Sequence, residues 1–326
     1  MTRRLWALAG ASVLVRAAGS LTLAVVAPDG ARNLRMARLM LDGDWTGALT
    51  LYPVTHPLCP VLIAGGQALA GGPLLAACAI SVLLGGLAVV PLYHLARSVW
   101  NERVATIAAI LYAFLPAAVE LQCDAMLEGP FPFFFLAGMA LAASAMDRRS
   151  WERAVLAGVC AACAWLTRPE GAYLLPLFLL ALLLRPSRFA LVALPAIFIP
   201  ALVIATPYQG FIREQTGRYG LSASPFSAGI LGLFTGESKA SGYQVDEKTR
   251  AEFEEYEDIH RYGRFGGPAV TLVKNVSKVL FHVLVPFVLI GFWKLRTQGF
   301  RGPPGIYLLA AAGGYFLPVI LAFAAG

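Results

Sequence analysis

The chain has 326 residues, of which 58% are hydrophobic and only 14% charged, with mean hydropathy +0.67 and a net charge of +7. Soluble domains carry roughly a quarter charged residues, so this composition excludes a soluble enzyme and a disordered chain. The basic excess sits mainly between apolar runs, which fits membrane topology and gives no nucleic-acid partner. The chain reads as an all-α, polytopic integral membrane protein whose immediate surroundings are the lipid bilayer.

The first apolar stretch follows Arg3 and Arg4 and runs to Ala27. A cleaved signal peptide competes for this segment. Its length and the interrupting Arg16 favour an uncleaved first span with a cytoplasmic N-terminus. Further apolar runs at about 75–96, 104–119, 129–146, 153–166, 172–184, 189–205, 270–292 and 304–325 bring the expectation to nine spans. The shorter ones must tilt or pack inside a bundle. The loops expected inside hold Arg3, Arg4, Arg97, Arg103, Arg148, Arg149, Arg153, Arg185, Arg188, Lys294, Arg296 and Arg301, against the acids Glu102, Asp147 and Glu152. The remaining sixteen of nineteen acids lie elsewhere, as the positive-inside rule requires. Had Leu58–Ala70 crossed the membrane, the Arg97–Arg103 loop would lie outside. This segment is therefore expected as an interfacial or re-entrant helix. The organisation is one transmembrane domain, 1–326, with a first outer loop at 28–74 and a larger one at 206–269.

In the first loop, Leu34, Ala37 and Leu41 share one helical face and Arg32, Arg35 and Arg38 another, predicting an amphipathic helix over 31–41 that lies in the interface. Its arginines either touch lipid headgroups or, as Arg35 could, bind a phosphate on a lipid substrate. Asp29 sits where the first span leaves the membrane, an expensive place for an acid. It serves equally as a helix cap or as a catalytic group. His56 follows in Tyr52-Pro53-Val54-Thr55-His56-Pro57-Leu58, as a structural residue or as a donor to phosphate.

Asp124 and Glu128, four apart, share a face if their segment is helical. Two neighbouring carboxylates can hold a divalent cation or an acceptor hydroxyl. Arg168 and Glu170, in Leu166-Thr167-Arg168-Pro169-Glu170-Gly171, are charges near membrane depth that must pair or line a cavity. The acidic run 246–258 reads as a solvated helix. Cys160 and Cys163 lie inside an apolar run and read as an inert pair; a Cys59–Cys123 disulfide is an open option.

The order of these features resembles glycosyltransferases of the GT-C class. An acid follows the first span, then come Leu34-x-x-Ala37-x-x-x-Leu41-x-Gly43-Asp44-Trp45, Tyr52-Pro53, His56-Pro57-Leu58, the Arg97–Arg103 loop, the Asp124–Glu128 loop and Leu166–Gly171. Pro207-Tyr208 with Thr216-Gly217-Arg218 resembles the start of a later outer segment. The chain is most similar to glycosyltransferase family 39, the dolichyl-phosphate-mannose–protein mannosyltransferase-like and aminoarabinose transferase-like enzymes. The resemblance implies a GT-C-like bundle and transfer, with inversion, of a sugar from a polyprenyl-phosphate-linked donor to an acceptor hydroxyl on a glycan, lipid or protein. By position it makes Asp29 the general base, His56 and Arg168 the binders of donor phosphate and Glu170 the partner of Arg168; on the residue readings above, Arg35 joins the phosphate binders and Asp124 and Glu128 the acceptor or supporting residues. The chain departs from it in carrying Gly30 where many members have a second acid, and Asn33 where a Tyr is common. No cofactor is implied with certainty, no metal ligand is assigned, and a divalent cation is left as an option. The expected location is a bacterial inner membrane, multi-pass, with the site facing the periplasm. Alternatives are a transporter or flippase of lipid-linked substrate, marked by inverted repeats and midplane charges, and a truncated, non-catalytic family member.

Overall fold

The computed structural model describes residues 2–22, 26–52, 55–184, 187–217 and 219–220. They belong to the first of two compact units, Met1–Ser222 and Ala223–Gly326. The expected spans at 270–292 and 304–325, the acidic run and most of the 206–269 loop lie outside the described residues.

All regular structure among the described residues is helical. The order is α1 (Thr2–Ser20), α2 (Pro28–Leu41), α3 (Trp45–Leu51), α4 (Leu58–Ala70), α5 (Pro73–Leu87), α6 (Val89–Val99), α7 (Glu102–Phe114), α8 (Pro116–Cys123), α9 (Pro130–Arg148), α10 (Trp151–Thr167), a 3-10 turn (Pro169–Tyr173), α11 (Leu174–Leu184) and α12 (Arg188–Thr216). Three stretches are long and apolar enough to cross a bilayer: Pro73–Val99, Pro130–Arg148 and Arg188–Gln215. α7 and α8 pass the same test together but are bent by 51° at the break between them, as in a broken span or a re-entrant loop. The break is at Pro116, which lacks the N–H that would continue the ladder and crowds the preceding turn. Starts of helices on the basic side are capped locally: the side chains of Asn101, Ser150 and Ser187 accept from the N–H groups of Val104, Arg153 and Ala190, as N-caps do.

Small residues fill the interior and large ones face outward. On α7, Ala105, Ala109 and Ala113 are buried while Ile107, Ile110 and Leu111 are exposed. On α10, Ala154, Ala157, Ala161, Ala162 and Ala164 are buried while Leu156 is exposed. A water-soluble bundle would reverse this. In lipid the large side chains meet acyl chains, and small ones let helix backbones close on each other. Gly158 is the sharpest instance, since a Cβ there would overlap the carbonyl of Ile197 on α12.

Two boundaries differ from expectation. The last described helix does not stop at 205. It runs through Pro195, Pro200 and Pro207 to Thr216 and closes on Gly217 at φ 71°. Pro207 and Tyr208 therefore lie inside α12, because membrane helices tolerate proline where neighbours satisfy the freed backbone. The amphipathic helix begins at Pro28, three residues early, and its buried face is Gly30, Asn33, Met36, Ala37 and Met40, with Leu41 exposed. Arg32, Arg35 and Arg38 do point outward as expected. The five cysteines are free, and Cys123 instead donates its thiol to the carbonyl of Arg16.

Candidate active site

The loops expected outside meet one another. The first junction holds α2. Ala27 is the N-cap of α2 and offers no capping side chain. The cap comes from far away: Asp124 Oδ2 accepts from the Ala27 N–H at 2.8 Å, and its Oδ1 accepts from Ala125 N–H at 2.6 Å. Asn33 Nδ2 reaches the carbonyl of Ala125 at 3.4 Å. Gly30 lies against the same turn, where a Cβ would come within 3.1 Å of the Ala125 carbonyl oxygen and within 2.8 Å of Val26. A second acid at this position has no room, which is the physical reason for Gly30. Asp124 is thus a buried support that places a negative charge at a helix N-terminus.

This arrangement corrects two expectations. Residues 124–129 form bends and turns, not a helix, so Asp124 and Glu128 do not present a shared carboxylate face. Asp29 is not the cap either. It stands in the first turn of α2, exposed, with Oδ1 3.0 Å from Arg32 Nη1. Arg35 is exposed on the same helix.

The second junction centres on Arg168. Its Nη1 donates to Glu128 Oε1 at 3.0 Å, its Nε lies 3.5 Å from Glu170 Oε2, and its guanidinium carbon lies 5.7 Å from the centre of the Phe131 ring. The side chain is 34% exposed, so the triad is reachable. One turn before it, Trp165 would give its carbonyl to the N–H of residue 169, but residue 169 is proline. His56 takes the freed carbonyl: its Nδ1 stands 2.6 Å from Trp165 O. The ring is fully buried and tilts against Tyr208 of α12 at 5.1 Å.

A carbonyl only accepts, so Nδ1 carries the proton. Burial, with the Arg168 charge nearby, lowers the His56 pKa from 6.5 to about 4. The imidazole is therefore neutral at physiological pH and its Nε2 is a bare acceptor. The expected donation from His56 to phosphate does not fit this tautomer.

A third junction was not visible in the sequence as a set. Arg16 of α1 is completely buried. Its Nη2 and Nη1 donate to the carbonyls of Tyr112 and Ala113 at 3.2 and 3.0 Å, its Nη1 also to Ser12 Oγ at 2.6 Å, and its Nε to Gln122 Oε1 at 2.7 Å. Gln122 Nε2 then donates to Tyr112 Oη at 2.9 Å and to the carbonyl of Glu128 at 2.8 Å. Pro116 removes the N–H that Tyr112 O would have met, and Arg16 replaces it. An arginine inside an apolar span is the signal that could have found this network; Gln122 carried none.

Among the described residues, no group of three His, Cys, Asp or Glu side chains is placed to hold a metal ion.

Residues 53–208 match the family model described as dolichyl-phosphate-mannose-protein mannosyltransferase. The match includes His56, Asp124, Glu128, Arg168 and Glu170, while Asp29 and Arg35 precede it. The chain is also similar in structure to the oligosaccharyltransferase of Archaeoglobus fulgidus in its apo form, at TM-score 0.60 and 15% identity, over 98% of this chain and 49% of that one. The same enzyme in complex with zinc and sulfate gives 0.59, 18%, 98% and 48%. Archaeal oligosaccharyltransferase AglB from that organism, in complex with an inhibitory peptide and a dolichol-phosphate, gives 0.55, 16%, 98% and 49%. The fold is that of the GT-C membrane glycosyltransferases. This GT-C chain spans about half the length of those solved structures. The resemblance to glycosyltransferase family 39 is borne out over the matched segment. No curated protein matches the chain.

Proposed function

We propose that this GT-C protein is a glycosyltransferase that moves a sugar from a polyprenyl-phosphate-linked donor to an acceptor hydroxyl on the extracytoplasmic face of a bacterial inner membrane. The reading is supported most by one observation: the family match covers the segment that gathers Glu128, Arg168, Glu170 and His56 into one site. The basic loops at Arg97–Arg103 and Arg148–Arg153 lie at the opposite helix ends, which supports an outward-facing site.

In this proposal the acceptor hydroxyl attacks the anomeric carbon and inverts it while the lipid phosphate leaves. Asp29, exposed at the start of α2, accepts the hydroxyl proton as the new bond forms. A carboxylate is a weak base toward an alcohol, so its help comes mainly in the transition state. Arg32 holds it in place through the 3.0 Å ion pair. Arg35, exposed on the same helix, and Arg168, fixed between two carboxylates, meet the charge of the departing phosphate. Asp124 acts at one remove by anchoring α2.

The test is transfer by purified full-length protein in lipid nanodiscs, with radiolabelled polyprenyl-phosphate mannose, glucose and galactose and a mixed acceptor fraction from bacterial envelopes. Label moving from lipid to acceptor supports the reading. Folded protein that neither transfers nor binds any of these lipids rejects it.

A further inference from the structure

We propose that His56, Glu128 and Glu170 hold the sugar of the lipid-linked donor by accepting hydrogen bonds from its hydroxyl groups, and that they do not contact its phosphate. The inference rests on the glycosyltransferase reading above.

The argument starts from three buried atoms. His56 Nε2, Glu128 Oε2 and Glu170 Oε2 are buried and have no hydrogen bond among the described residues, Glu170 Oε2 having only the 3.5 Å ion pair with Arg168. Buried polar atoms in native proteins almost always have partners, and an orphan calls for an explanation. All three belong to one cluster. Arg168 bonds Glu128 and pairs with Glu170, and its charge reaches His56. Glu128 in turn acts on Cys59, one turn beyond His56.

The three atoms share one chemistry. The carboxylate oxygens accept, and His56 Nε2 accepts because Nδ1 has spent the ring proton on Trp165 O. The phosphodiester of a polyprenyl-phosphate sugar is ionised and offers oxygens without protons, so none of the three can bond to it. The charge points the same way. Glu128 and Glu170 are acidic and His56 is neutral, so among these groups only the Arg168 guanidinium can attract an anion. A sugar ring is the opposite kind of ligand, with several adjacent hydroxyl donors and apolar C–H faces. The rings of Phe131 and Tyr208 border the cluster and suit such faces. Arg168 lies between the two halves of the donor, bonded to the acceptors that read the sugar and positively charged toward the phosphate.

The experiment measures binding to the full-length protein in nanodiscs without acceptor, by titration calorimetry. The probes are polyprenyl phosphate, polyprenyl-phosphate mannose, glucose and galactose, and monodeoxy derivatives of whichever sugar binds best. The expected result is that the best sugar-bearing lipid binds at least tenfold tighter than bare polyprenyl phosphate. At least one monodeoxy derivative then loses about that factor. In Glu170→Met and His56→Phe most of the advantage disappears while affinity for bare polyprenyl phosphate changes less than twofold. Equal loss for bare and sugar-bearing lipid in these variants overturns the proposal and leaves the glycosyltransferase reading standing. So does a wild type that does not distinguish the deoxy series, an arm that needs no variant to fold. Wild type that binds neither lipid overturns both.

Discussion

His56 donates from Nδ1 to the carbonyl of Trp165 at 2.6 Å, across 109 residues of sequence, because Pro169 leaves that carbonyl without its helical partner. The same relation recurs at the other break. Pro116 orphans the carbonyl of Tyr112, and Arg16, 96 residues away, supplies the missing donor at 3.2 Å. Each proline interrupts a helix, and each carbonyl is met by a polar side chain from another element. In a bilayer no water is available to do this.

The first prediction concerns pH. His56 is neutral when folded, with its pKa lowered to about 4 by burial, against 6.5 when unfolded. Protons therefore bind the unfolded chain first. The contribution of this residue is complete above pH 6.5 and is lost progressively as pH falls toward 4, by ~3 kcal/mol in total. Thermal melts of detergent-solubilised protein across pH 4 to 8 should show this slope, and His56→Phe should flatten the part that His56 causes. An unchanged slope would show that other groups carry it.

Asp29→Asn should lower transfer by about 100-fold or more, as removal of a general base does. Stability should change by no more than ~0.5 kcal/mol, because the carboxylate is exposed and its pair with Arg32 is a surface one. Turnover near wild type would remove Asp29 from the role of base.

Asp124→Ala should cost ~1 kcal/mol of stability through loss of the cap on α2, and should reduce turnover although Asp124 is assigned no contact with substrate. Asp124→Asn retains one acceptor toward Ala27 N–H and should recover most of the loss. If alanine and asparagine behave alike, the cap is not what matters.

Arg16→Met should destabilise the protein by ~3 kcal/mol or more, since it strands buried carbonyls of Tyr112 and Ala113 and the oxygen of Gln122. Arg16→Lys should rescue little, because an ammonium cannot span acceptors on three elements as the guanidinium fork does. Melting temperature in a single detergent decides between these outcomes.

Arg168→Ala should weaken donor binding by about tenfold, raising apparent KM for the lipid donor more than it lowers kcat. The variant takes the guanidinium away from both Glu128 and Glu170, so affinity should fall further at low ionic strength, where screening is weakest. Unchanged donor affinity would reject the phosphate role.

Much of the fold can be read from the chain alone because the bilayer imposes it. Apolar runs and the arginines between them place the helices from α5 to α12, and Leu58–Ala70 forms a separate short helix. The arginine face of α2 is also legible. Which side of α2 is buried is not, because Asn33 and Gly30 dock on a turn 92 residues away.

At the site, the chain alone says that Arg168 and Glu170, charges near membrane depth, must pair or line a cavity, and that Asp124 and Glu128 are four residues apart. Tertiary structure alone decided the pairings. It turned Asp124 toward the N-terminus of α2 and Glu128 toward Arg168, and it joined Arg16 to Gln122. It also fixed the proton of His56 on Nδ1, because only the packed bundle brings the carbonyl of Trp165 within reach of the ring. Spacing along a helix predicts neighbours three or four residues apart; these partners are 40 to 109 residues apart, and only packing brings such distant groups together.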